Sequence, residues 1–279
     1  ILTTLISSFG YHYYETVNKS LTLQYFDTHT APVVFGNQSS AAAITNIGVG
    51  LFIYIVSMFL AYRQIYAIFG LVIVGIGLWA LRQNPTRKGA PVQHYKMVLR
   101  KKYWLFYFLT FMSGARRQIF LAFAVFLLVE RFQFTIQSIT VLFVVNNVIR
   151  YFLAPLIGKG IVRFGERWVL SVEYFGLIFV FVAYAFTCSK WVVAGLYLLD
   201  HIFFNFSIAI NTYFQKVGDP QDIAPSMAVG FTINHIAAVV LPFIGGLLWL
   251  VDYKIPFIAG AAMSLVSLIA VQKISTKNQ

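Results

Sequence analysis

Apolar positions in this chain come in long blocks, parted by short polar stretches. The blocks fall at 1–26, 41–62, 64–82, 103–129, 135–157, 168–187, 191–214, 224–250 and 255–271. A bilayer core about 30 Å thick is crossed by about 20 apolar residues of helix. Inside it, backbone polar groups must be satisfied within the segment, which makes each block a helix. The last eight blocks are therefore predicted to span. The first reads as a helix whose beginning is missing, because the chain starts at Ile1 without Met or a signal-peptide pattern. Only Arg63-Gln64 parts the second block from the third, which predicts a tight hairpin there.

The longest polar stretch, 82–102, carries Arg82, Arg87, Lys88, Lys96, Arg100, Lys101 and Lys102 and no acid. It reads as a linker between two helical halves, and its charge predicts a cytoplasmic position. Alternating from it, Lys159, Arg163, Arg167, Lys216, Lys273 and Lys277 join the same side, against Arg63, Arg131, Lys190 and Lys254 on the other. The sequence thus predicts that 82–102, 158–167 and 272–279 share one face of the membrane.

Composition agrees. Of 279 residues 59% are hydrophobic and 11% charged, and mean hydropathy is +0.76; soluble domains carry about 25% charged residues. The net charge of +12 raises a nucleic-acid partner, but the basic residues flank apolar blocks, so the partner they imply is the lipid bilayer and not nucleic acid. Cys188 is the only cysteine, which excludes an internal disulfide and a thiolate metal site. No nucleotide-binding, metalloprotease or redox motif is present, so no cofactor and no enzyme activity is expected.

A weak repeat runs through the chain. His12 to Phe26, Ala31-Pro32 and Thr45-Asn46 are echoed by His201 to Gln215, Ala224-Pro225 and Thr232-Ile233-Asn234. Two parallel halves are one transporter architecture. With the central basic linker, the stretch Gly158-Lys-Gly-Ile-Val-Arg-Phe-Gly-Glu-Arg167 is similar to the Gly-x-x-x-Asp-Arg-x-Gly-Arg-Arg loop of the major facilitator superfamily. Gly158, Arg163, Gly165 and Arg167 match; Val162 stands in place of Asp and Glu166 in place of a basic residue. The resemblance implies an all-α membrane protein of two bundles. Residues 1–81 would be the remainder of the N-terminal bundle, 82–102 the linker and 103–279 a complete C-terminal six-helix bundle, with about three family helices preceding Ile1. It implies a monomer in the plasma (inner) membrane, and a structural or gating role for the four matching loop residues.

Candidate chemistry lies in charges buried within the spans. Arg116 and Arg117 have about thirteen largely apolar residues on either side, which places them near the midplane, about 20 Å from each helix end. A charge there is costly and needs a wet cavity or a counter-ion. Guanidinium suits an anionic substrate group; a fixed interhelical ion pair is the other reading. The resemblance implies a central cavity to which Glu15 and His12, Arg116 or Arg117, and Asp200 with His201 contribute. The pair Asp200-His201 suits proton coupling, or else Asp200 is permanently paired to an Arg. Arg150 and Glu173, at matching depth on neighbouring helices, are predicted to form a structural ion pair. The reading is a secondary transporter of a small solute, with an anion as the candidate solute and the proton as the candidate coupling ion. The alternative is a non-transporting sensor or assembly protein on the same scaffold.

Overall fold

The computed structural model describes residues 2–83 and 91–275. Among them every regular element is helical: α1 (Leu2–Tyr25), α2 (Thr30–Val56), α3 (Tyr62–Leu81), α4 (Trp104–Ile119), α5 (Val125–Glu130), α6 (Ile136–Phe164), α7 (Glu166–Phe186), α8 (Lys190–Phe204), α9 (Ile208–Val217), α10 (Ile223–Val251) and α11 (Lys254–Val271). A π-helical turn at Phe120–Ala124 joins α4 to α5, and a 3-10 turn at Asn205–Ser207 joins α8 to α9. Eight helical stretches are long and apolar enough to cross a bilayer. The chain is a multi-pass, all-helical membrane protein.

Three boundaries differ from the expectation, each for a physical reason. First, α2 begins at Thr30, eleven residues before the predicted 41. Pro32 sits in its first turn, where the missing N–H has no intrahelical partner to lose. The Asp27 carboxylate accepts from the N–H groups of His29 (2.9 Å) and Thr30 (2.7 Å), and the Thr30 amide holds that carboxyl below its usual range. The polar run that looked like a loop is a helix face turned toward other helices. Gln38 donates to Thr22 Oγ1 (3.1 Å), Ser39 to Asn205 Oδ1 (3.3 Å) and Ser40 to the Tyr151 carbonyl (2.7 Å).

Second, the α2–α3 break lies at 57–61, and Arg63 and Gln64 are in the first turn of α3. The Gln64 side chain accepts from the Ala61 N–H at 3.0 Å and so closes the start of that helix. Third, α6 continues through Pro155 to Phe164. Gly158, expected in a loop, is a packing residue. A Cβ on it would collide with the Pro32 carbonyl oxygen, and one on Gly36 would sit 2.5 Å from the Ala154 carbonyl oxygen. These two glycines let α2 and α6 lie backbone to backbone. The loop shrinks to Gly165, whose φ of +80° disfavours a side chain.

Around this crossing, α4 packs on α10, α7 on α11, and α1 on α10. The buried apolar side chains form two clusters. One holds Phe106, Leu109, Leu170, Tyr174 and Phe214; the other holds Phe120, Leu127, Phe181, Tyr184 and Phe257. Along α4 and α8, Arg116 and Asp200 fall between the two, and Glu173 of α7 lies between Leu170 and Tyr174 of the first.

The described part of the linker is fastened to the α9–α10 turn. Asp222 is fully buried there. It takes the Tyr103 hydroxyl (2.8 Å), His94 Nδ1 (2.9 Å) and Arg100 Nε (2.5 Å). Lys102 pairs with Asp219, and Gln93 bonds the Pro220 carbonyl and the Ala224 N–H. At the same end Lys216 pairs with Glu166 at 2.8 Å and Arg167 donates to Gln272 at 3.0 Å. So 91–102, 165–167 and 272 share one end of the bundle, as the charge pattern predicted. Arg87, Lys88 and Lys277 lie outside the described residues. Arg163 is exposed on the last turn of α6, its guanidinium 5.2 Å from the Phe164 ring centre.

Candidate functional site

Three polar spaces meet inside the bundle. The largest, about 270 Å³, lies between α1, α4, α9 and α10. On α1, His12, Glu15 and Lys19 recur at helical spacing and so share a face; all three line the space. Lys19 binds Glu15 at 2.7 Å, and His12 Nδ1 lies 3.9 Å from the same carboxylate. The His12 ring stands edge-on to His235 of α10, 4.4 Å between centres. On α4, Gly114 admits Asn234 of α10: a Cβ there would meet its side-chain nitrogen at 2.7 Å.

The second space, about 140 Å³, is lined by Arg117 of α4, Arg150 of α6, His201 of α8, and Asn46, Asn146, Asn147 and Asn205. Among the described residues no carboxylate lines it. The asparagines are partly tied to one another and to backbone: Asn46 donates to Asn147 Oδ1 (3.2 Å) and Asn205 to the His201 carbonyl (2.8 Å). Both side-chain polar atoms of buried Asn146 are left without a hydrogen-bond partner. Arg150 Nε donates to Ser39 at 2.8 Å.

The third space is only about 20 Å³ and touches Arg116, Arg117, Glu173 and Asp200. Arg116, 3% exposed, has Nη2 3.7 Å from Glu173 Oε1, donates from Nη1 to Ser267 at 2.5 Å and lies 4.4 Å from the Tyr174 ring centre.

Arg117 borders all three spaces. Its guanidinium rests 4.5 Å from the Phe204 ring centre, and it forms no ion pair among the described residues. A step of about 100° between neighbours on a helix separates the two arginines: Arg116 turns into the packed bundle, Arg117 toward the polar spaces. The π-helical turn that follows them is a feature often found beside functional sites.

Of the predicted residues, His12, Glu15 and Arg117 are brought to one cavity. Arg116 is not; it is the buried counter-ion of Glu173. Asp200 and His201 diverge. Asp200 enters the small space beside Arg116, while His201 lines the second space with Nδ1 3.1 Å from the Tyr197 carbonyl. They do not form one acid–imidazole pair. Nor do Arg150 and Glu173 pair, since Arg150 bonds Ser39 and Glu173 faces Arg116. The depth estimate failed because α6 runs to Phe164, which puts Arg150 at the middle of its helix and not near its end. Arg150 and the asparagines were thus missed as cavity residues. A cation flanked by Asn146-Asn147 inside an apolar block was the available signal.

No protein-family model matches the chain, and no curated protein matches it.

Proposed function

We propose that the protein is a secondary transporter of the major facilitator type, moving a small anionic solute by alternating access. The observation that carries this reading is the facing of Arg117 and Arg150 across one polar space with no carboxylate lining it. Two guanidiniums there repel each other until an anion joins them. Their planar forks suit a carboxylate or a phosphate, each taken by two parallel hydrogen bonds. The asparagines add neutral donors and acceptors. In the larger space Glu15 is paired to Lys19 at 2.7 Å, so only part of its charge is left to act on Arg117. Helices from both sides of the basic linker supply the walls, as a solute path between two moving halves requires. The linker end faces the cytoplasm by its excess of Lys and Arg.

The test is a thermal-shift screen of the purified protein with inorganic phosphate, succinate and uncharged glycerol, followed by flux of the best anion into liposomes. Phosphate or succinate should raise the melting temperature, and glycerol at equal concentration should not. Arg117→Gln and Arg150→Gln should each fold and bind the anion about tenfold to a hundredfold more weakly, the range of one charged hydrogen-bonding group. Arg150→Lys should rescue poorly. Unchanged binding in both Gln variants would overturn the anion site. Binding without flux would make the protein a sensor.

A further inference from the structure

We propose that Glu173 and Asp200 together hold one exchangeable proton against Arg116, in a site reached from the solute cavity past Arg117. This rests on the transport reading for its purpose, though not for its chemistry.

The argument begins with charge. Arg116, Glu173 and Asp200 are 3%, 2% and 5% exposed. One guanidinium against two carboxylates leaves one negative charge among apolar side chains, and such a charge is costly unless neutralised. Among the described residues the surroundings supply no second cation that pairs with them. From α7 come the phenols of Tyr174 and Tyr184, from α8 that of Tyr197, and from α11 the Ser267 hydroxyl. Arg117 reaches the edge of the space, but its guanidinium lies on Phe204. A proton on one carboxyl restores the balance.

Geometry gives the proton a place and a route. Among the described residues, Glu173 Oε2 and Asp200 Oδ2 are buried with no hydrogen-bond partner, as are Arg116 Nε and Nη2. The closest Arg116–Glu173 approach is 3.7 Å, longer than the roughly 2.7–2.9 Å of a locked charge-assisted bond. The pair is therefore not a closed salt bridge. The space of about 20 Å³ between these groups is large enough for one water, which takes roughly 10–15 Å³ by the same measure. Ser113 and Arg117 line both this space and the 270 Å³ cavity. A proton delivered by water in the large cavity passes that boundary to either carboxylate, and leaves the same way.

The test uses the purified full chain and needs no solute, so it is separable from the transport reading. Infrared difference spectra between acid and alkaline buffer should show a protonated-carboxyl band that disappears on alkalinisation. Glu173→Gln and Asp200→Asn should each remove that band. Each leaves a balanced Arg116–carboxylate pair, so each should fold and melt at or above the wild-type temperature. The double variant strands the guanidinium and should lose its cooperative melt. The proposal is overturned if the band persists in both single variants, if wild type shows none, or if the single variants fail to fold. It is also overturned if sodium at constant pH discharges the band, since the site would then take a metal cation. A titrating band in a protein that moves no anion would sink the transport reading alone.

Discussion

Adjacent arginines have opposite fates in this protein, and the difference is one step of helix rotation. Arg116 is 3% exposed against Glu173 and Tyr174; Arg117 faces the cavities. Arg116→Gln should therefore cost stability, by about 3–5 kcal/mol for breaking a buried pair from one side. Arg117→Gln should leave the melt near wild type and act on ligand binding alone. Parallel thermal melts of the two variants in detergent check this; equal losses would mean that both side chains are structural. Depth was legible in the sequence, because thirteen residues of apolar helix on either side locate a charge near the midplane. Direction was not, since nothing in the residues flanking Arg116-Arg117 sets how α4 is rotated. The partner of Glu173 was hidden for the same reason.

Among the described helices, α2 and α6 make the most extensive contact, and two glycines let their backbones meet in it. Gly158→Ala should drive a methyl into the Pro32 carbonyl and cost about 1–3 kcal/mol, the usual penalty for overpacking. Gly160→Ala, two residues on, meets nothing within 4 Å and should be neutral or mildly stabilising, since Ala favours helix by about 1 kcal/mol. Melts of the two variants give the comparison, and equal effects would remove the packing role of Gly158. The spans themselves could be read from hydropathy, because lipid-facing surface dominates their composition. Their ends could not be where a helix turns polar side chains toward its neighbours. Gln38, Ser39 and Ser40 looked like a loop and are side chains of α2 turned toward its neighbours, while Asn37 beside them is exposed. Likewise Gly158-Lys159-Gly160 looked like a turn and is the last part of α6.

For the molecule as a whole, the ends of the bundle are chemically distinct. One end gathers Asp222 with His94, Arg100 and Tyr103; the other gathers Glu130 with Trp249 and Arg131 over Tyr253. Cys188 is exposed in the α7–α8 turn, at the end away from the linker. If the linker is cytoplasmic, a membrane-impermeant maleimide should label Cys188 on intact cells. Arg163→Cys in a Cys188→Ser background should stay unlabelled until the cells are opened. The reverse pattern would invert the topology. Glu166 is a poor reporter because it is buried against Lys216. The position of Arg117 at the meeting of three spaces has one more consequence. An anion resting on it would place negative charge beside Glu173 and Asp200 and make protonation there easier. Thermodynamic reciprocity then requires the proton to tighten the anion by the same factor. If the protein is the transporter proposed above, cargo and proton would then travel together, and a proton gradient would drive the movement of the anion.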